Sequence, residues 1–385
     1  MIRTATKQNM TRWMTVAGIA FLVGLGACSH EVGLFASLEQ EIPVDEERGF
    51  PTNGSIHGLV FHETGGTGRY FAGGSSLWVR EAVDASETSL EGWTRIAPPS
   101  SGLTLSSMAL VGGEIFAVYG GNVYSRTAGD QTGVSWGNPV AAFDTATALQ
   151  VFAVTVGGTD TFVVSASVEG GNRLLDNSGA EISGLENVNT IYDVTNFGDR
   201  IYVLTNTQLF RGAENDLLTG MAPVTIAGST SSTFRDMQVR GDDDDELWIA
   251  GKGRLYWSND GTNWTNSDSI TPEDSSTEVQ FTGLGFVTVD GTEYVLASTQ
   301  ANGLYEGNDP DDLSSLRAEG SERTLIGRSG NYLTTQIAGR AVDRIVIDAN
   351  GSARGLDGPL VFLGTPGRGL WRGQQENGDF IWRRE

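Results

Sequence analysis

The sequence predicts an all-β protein, a single β-propeller of seven four-stranded blades. Three observations predict it: a hairpin phrase that recurs seven times, a spacing of about fifty residues between copies, and 52 glycines among 385 residues. That glycine content is about double the usual ~7% share, and frequent glycine marks frequent tight turns between short strands. Each phrase is an apolar strand, a Gly-rich or Asn/Thr turn, then Leu or Val followed by a large apolar residue. A unit repeated every 40 to 50 residues, with four short strands in each, is the sequence pattern of a propeller blade.

Along the chain, the first hairpin runs from Phe71-Ala72-Gly73-Gly74 to Leu77-Trp78, and the second from Ile115-Phe116-Ala117-Val118 to Val123-Tyr124. The third leads from Phe162-Val163-Val164 to Leu174-Leu175, the fourth from Ile201-Tyr202-Val203-Leu204 to Leu209-Phe210, and the fifth from Leu247-Trp248-Ile249-Ala250 to Leu255-Tyr256. The sixth joins Tyr294-Val295-Leu296-Ala297 to Leu304-Tyr305, and the seventh Leu360-Val361-Phe362-Leu363 to Leu370-Trp371. The closing residues are separated by 46, 51, 35, 46, 49 and 66 positions. The last gap leaves room for an insertion around Gly320–Arg340 or a partial eighth blade, so six and eight blades are the alternatives.

Upstream of the hairpins lie further apolar stretches, such as Leu105 to Val111, Thr190 to Phe197, Phe234 to Val239, Val279 to Val289 and Arg344 to Ile347. These supply a first strand for each blade. Downstream, a polar turn leads to a fourth strand that opens with Trp93, Trp136, Trp264 or Trp382. No long stretch beyond residue 27 keeps apolar residues at helical spacing, and β-branched residues fill the candidate strands.

The amino-terminal segment has a different character. Arg3, Lys7 and Arg12 precede an apolar run from Thr15 to Leu25, and Leu25-Gly26-Ala27-Cys28 follows with the only cysteine of the chain. This is the layout of a secretory signal, and the run is shorter than the roughly 20 residues a membrane-spanning helix needs. The tetrapeptide resembles the lipobox of bacterial lipoproteins. That resemblance implies cleavage before Cys28, a diacylglycerol thioether on its sulfur and an acyl group on the new amino terminus. Ser29 in place of an aspartate points to the outer membrane rather than the inner one. The resulting division is a lipoprotein signal peptide over 1–27, a lipidated, acidic tether over 28–52 and the propeller over 53–385.

In the fifth repeat, the turn Ser258-Asn259-Asp260-Gly261-Thr262-Asn263-Trp264 resembles a shortened Asp-box, the turn of sialidase-type (bacterial neuraminidase repeat) propellers. The resemblance implies structural roles: Asp260 and Ser258 bind turn amides, Gly261 supplies a positive φ, and Trp264 packs between sheets. Looser echoes stand at Ser125 to Trp136 and Arg372 to Trp382.

Charge narrows the partners. The chain carries a formal charge of −23, and loss of residues 1–27 removes Arg3, Lys7 and Arg12, which takes it to −26. Such a field repels phosphate backbones and anionic headgroups, which excludes nucleic acid and leaves the lipid on Cys28 as the membrane contact. One cysteine allows no internal disulfide. The clusters Asp242-Asp243-Asp244-Asp245-Glu246 and Asp309 with Asp311-Asp312 lack the alternating carboxylates and glycine of a calcium loop. They read as solvated hairpin tips, with weak calcium binding as the alternative and no other metal or cofactor expected.

In a propeller the first strands line a central channel. Aligning them on Leu59, Met108, Val194, Met237, Leu284 and Ile345 puts His57, Tyr192, Asp193, Arg235, Asp236, Asp343 and Arg344 at its mouth, with no secure register for the third blade. These residues are a candidate ligand site or a ring of contacts that holds the blades together. Catalysis has little material: beyond the signal, histidine occurs only at His30, His57 and His62, which leaves a Ser-His-Asp relay or multi-histidine metal site unsupplied. The sialidase resemblance would imply arginines on a substrate carboxylate, a tyrosine nucleophile and a glutamate base. Tyr192, Arg235 and Arg344 could fill the first roles, but no glutamate stands beside them. The expected function is therefore a non-catalytic binding or scaffolding module of the cell envelope with a protein or glycan partner. A glycan-active hydrolase with its site at the channel mouth is the alternative.

Overall fold

Seven antiparallel sheets follow one another along the chain, each built from consecutive strands that add outward in order. In the computed structural model the described residues are 50, 55–64, 67–82, 92–128, 135–185, 188–212, 220–229, 233–241, 246–271, 276–307, 317–318, 342, 344–366, 369–376 and 379–385. They belong to one unit, Arg48–Glu385. Cys28, the tether apart from the buried Phe50, Asp343, the proposed insertion around 320–340 and the acidic residues 242–245 and 309–312 lie outside them.

The first strands of the sheets are Gly58–Thr64, Leu105–Val111, Thr147–Val156, Ile191–Phe197, Asp236–Arg240, Phe281–Val289 and Arg344–Asp348. Each touches the next, and Arg344–Asp348 touches Gly58–Thr64, so the sequence of sheets closes on itself. All seven hairpins read from the sequence pair the second strand with the third. The fold is a β-propeller.

Burial explains why the second strands are the most apolar. Glu246–Ala250 and Leu360–Thr365 are buried along their whole length, because each lies between sheet neighbours and is covered on both faces by adjacent sheets. Such strands lose the apolar–polar alternation of a half-exposed sheet. Seven separate apolar clusters result, one at each junction between successive sheets. The tryptophans at the outer turns serve these junctions: Trp93, Trp264 and Trp382 are buried there. Trp136 is partly buried with its ring edge-on to Tyr119 at 5.2 Å, and its indole N–H donates to Ala97 O at 2.9 Å.

Two outer strands differ from expectation. No strand follows Trp136 among the described residues, and the second and third sheets have three strands each. In the second, Gly137 and Val140 still donate to Ser125 O and Val123 O, so the polar segment covers the edge without forming a regular ladder.

Among the described residues the first and seventh sheets share no strand, and side chains join them. The buried Glu385 carboxylate pairs ionically with Arg372, whose Nε lies 2.9 Å away, and accepts from Trp93 Nε1 at 3.1 Å and from Arg80 Nη1. Burial alone would raise its pKa, but Arg372 and Arg80 outweigh that and hold the carboxyl below its usual range. Nearby, the Tyr70 hydroxyl donates to Asp348 across the same junction and accepts from Arg354 Nη2 at 3.0 Å. Removing one partner of a buried ion pair strands the other, at about 3 to 5 kcal/mol. Glu385→Ala should therefore lower the denaturant midpoint of unfolding by a shift of that size, measured against wild type by tryptophan fluorescence. A shift within ~0.5 kcal/mol, the range of ordinary surface substitutions, would show that the junction does not rely on this clasp.

Candidate functional site

One edge of every first strand pairs with its second strand, and the other faces the channel with unpaired backbone groups. The same local irregularity recurs there. Register shifts fall between Leu105 and Ser107, Ala148 and Gln150, Ile191 and Asp193, and Phe281 and Gly283. A bulge inserts one residue and re-aims the next side chain. Ser107, Gln150, Asp193 and Gly283 thus take positions equivalent to Gly58, Asp236 and Arg344 in the other sheets. The third blade's register, not secure in the sequence, is Leu149-Gln150 ahead of Val151.

Several of these side chains reach the exposed edge of the following sheet. Ser107 Oγ accepts from Val151 N at 3.1 Å, Asp193 Oδ2 from Met237 N at 3.3 Å, and Asp236 Oδ2 from Leu284 N at 2.8 Å. In each case the donor is the residue just after the equivalent position on the next strand. Asp193 Oδ1 also accepts from Val194 N at 2.8 Å. Where the position is glycine, packing takes over. A Cβ on Gly58 would lie 2.5 Å from Met108 Cγ, and Thr282 Oγ1 donates to Val342 O at 2.7 Å beside Gly283.

The channel encloses a cavity of about 860 Å³. Of the sequence-predicted mouth residues, His57, Asp193 and Arg344 line it together with Gln150. Asp236 does not: it is buried on the neighbouring first strand and committed to the sixth sheet. Tyr192 and Arg235 do not line it either, because the guanidinium stacks over the phenol ring at 4.5 Å and donates to Phe234 O at 2.9 Å. Deeper in, Val60, Ala109, Phe152, Phe286 and Val346 supply apolar wall. At the far end Arg240 bridges Glu246 at 2.7 Å and Glu293 at 2.8 Å. Glu246 therefore belongs to a buried network with Trp248 Nε1, 2.8 Å away, rather than to a solvated hairpin tip.

The mouth carries perturbed titrations. Burial, and then the neighbouring Asp236, push the Asp193 carboxyl well above the usual carboxylate range, with Arg344 opposing. Burial likewise raises Asp236 against the pull of Arg344 and the Leu284 amide. His57 is lowered by burial and by Arg344, which favours the neutral imidazole. Two coupled carboxyls thus face one guanidinium. Among the described residues no three His, Cys, Asp or Glu side chains cluster as a metal site.

The 258–264 turn is held as a unit. Asp260 Oδ1 accepts from Thr262 N and Asn263 N, both at 2.7 Å, and from Ser258 Oγ at 3.1 Å. These bonds hold the Asp260 carboxyl down at about 2. Gly261 has φ 65°, and a Cβ there would come 1.8 Å from Tyr202 Oη on the preceding sheet. The structure adds a second turn of this kind that the sequence reading misses. Asp176 Oδ1 accepts from Ser178 N at 2.9 Å and Ala180 N at 2.8 Å, and Gly179 abuts Ala142 O. The Asp-Asn-Ser-Gly run at 176–179 is the available signal, without a tryptophan to flag it.

No model of a known protein family matches the chain, and no curated protein matches it. Solved structures do. Virginiamycin B lyase from Staphylococcus aureus, an inactive variant with quinupristin, aligns over 85% of this chain and 97% of its own at 10% identity, TM-score 0.54. YCF48 bound to D1 peptide aligns over 85% and 94% at 14% identity, TM-score 0.54. BBS1N in complex with ARL6DN aligns over 87% and 95% at 11% identity, TM-score 0.52. The chain spans only 39% of PorZ, a surface component of the Porphyromonas gingivalis type-IX secretion system, at 14% identity and TM-score 0.50. It also spans 39% of the extracellular domain of BT4673 from B. thetaiotaomicron. At these identities the likeness is one of fold, the β-propeller.

A carboxyl whose pKa is raised in the folded state binds its proton more tightly there than in the unfolded chain. Its stabilisation is complete below the ordinary carboxylate range and is lost as pH rises toward neutrality. Wild-type stability should fall over that window. Asp193→Asn should flatten the fall, read from denaturation midpoints across pH. An unchanged pH slope in the variant would contradict the raised Asp193 carboxyl.

Proposed function

We propose that this protein is an exported lipoprotein, anchored through Cys28 to the outer membrane, whose propeller acts as a non-catalytic binding or scaffolding module for a protein partner in the envelope. The observation that carries the non-catalytic reading is the use made of the mouth carboxylates. Asp193 and Asp236, the groups best placed for acid–base work, are hydrogen-bonded to backbone amides of the next sheets. Tyr192, the candidate nucleophile, is stacked under Arg235 and does not line the cavity. A ring so constructed presents its rim and channel as a rigid surface, and a fold of this kind hosts many functions through its loops.

The comparisons support a protein partner without identifying one: BBS1N and YCF48 were solved with a protein and a peptide bound. The sequence from Arg3 to Cys28 supports the lipid anchor, since thiolate chemistry and a multiply acylated amino terminus fit a durable attachment. The 258–264 turn fits an Asp-box used for structure, as its carboxylate is spent on turn amides.

Two measurements test this. Metabolic labelling with a radioactive fatty acid should mark the wild type and not Cys28→Ala, and equal labelling of both would remove the anchor. Proximity cross-linking in the native host should recover one stoichiometric envelope protein. Glycan release by the purified protein, lost in Asp236→Ala, would instead establish the hydrolase.

A further inference from the structure

The channel cavity is large enough, at about 860 Å³, to hold more than one side chain, and its wall is divided in two. At the mouth stand Asp193, Arg344, His57 and Gln150, with Asp236 on the neighbouring first strand close enough to act on Asp193. Beyond them Val60, Ala109, Phe152, Phe286 and Val346 supply apolar wall, interspersed with Gln238 and Thr288 and closed at the far end by Arg240 and Glu293. The mouth layer holds two carboxyl groups against one guanidinium, so when both are ionised it lacks one positive charge. Arg235 lies off the cavity, held against Tyr192.

Each oxygen of Asp193 accepts a single backbone amide. A carboxylate has about four lone-pair sites, so both oxygens retain acceptor capacity on the cavity side. An organic cation with an apolar body meets both halves of the cavity at once.

We infer that the channel binds a singly charged ammonium group joined to an apolar body, as a peptide segment of the protein partner presents at its amino terminus or at a lysine beside a large apolar side chain. The ammonium donates to Asp193, with Asp236 adding its field from the neighbouring strand, and the apolar body lies between Phe152, Phe286 and Val346. Ligand and proton then compete for the same carboxyl pair, so binding weakens as pH falls and releases a proton when the pair begins protonated. This inference rests on the binding-module reading and specifies what the ring grips.

The test is isothermal titration of the full mature chain with four peptides. Leucyl-leucine amide carries the charge at its amino terminus and acetyl-lysyl-leucine amide on a side chain. Acetyl-leucyl-leucine amide lacks the charge, and glycyl-glycine amide lacks the apolar body. One or both of the first two should bind saturably, at least tenfold tighter than either control, and which one binds distinguishes terminus from lysine. Asp193→Asn should weaken that binding at least tenfold, and Arg344→Gln, which removes the opposing charge, should tighten it. The gain in the second variant cannot come from misfolding. Equal binding of charged and acetylated peptides, no binding, or indifference to both substitutions would overturn the inference. If cross-linking still recovers a partner in that event, the binding-module reading stands and only the channel assignment falls. Tight peptide binding with no recoverable envelope partner would uphold the channel assignment and remove the scaffold.

Discussion

Every sheet of this ring ends inward on an open edge, and the rest of the structure depends on how those seven edges are covered. An unpaired strand edge offers free N–H and C=O groups that must find partners or water. Here the partner is often a side chain from the preceding sheet, delivered for Ser107 and Asp193 by a bulge at the start of the first strand. Ser107, Asp193 and Asp236 each cap an amide at the same relative position on the next strand. Further down, Asn196 does the same job in two directions, accepting from Thr155 N at 2.8 Å and donating to Thr155 O at 2.7 Å. Neighbouring sheets are thereby locked in vertical register while the apolar clusters fill the space behind.

That solution has a consequence for chemistry. Burying two carboxyls on adjacent strands raises both, and Arg344 offsets only part of the cost. The carboxylates which look most reactive are the ones which hold the ring together. When both are ionised the same pair leaves the mouth short of one positive charge, so a structural device and an electrostatic preference for cations are the same atoms. At the closing junction the balance is different: Glu385 meets Arg80, Arg372 and Trp93, and its charge is retained.

Much of this is legible in the sequence, for identifiable reasons. Second and third strands are apolar runs around glycine or asparagine turns, so all seven hairpins can be read. Aligning first strands on their first apolar residue also brings Asp193, Asp236 and Arg344 to one layer. Which of them faces the cavity is not legible, because a one-residue bulge reverses the face of everything after it. The pattern over-predicts an outer strand after Trp136, since a tryptophan that packs between sheets need not begin a ladder. Glu246 reads as part of a hairpin tip because it adjoins four aspartates, while its partners Arg240 and Trp248 lie on paired strands. The clasp of Arg80 with Glu385 joins residues 305 positions apart in sequence, and no local pattern announces such a pair.

The central claim is that side chains from one sheet seal the inner edge of the next. Amide hydrogen exchange at single-residue resolution addresses it directly. Val151, Met237 and Leu284 lie on channel-facing strands, and the account predicts that their amides exchange as slowly as the ladder amides of the second strands, such as Ile249 and Leu296. Exchange of those three amides at rates typical of open loops would contradict it.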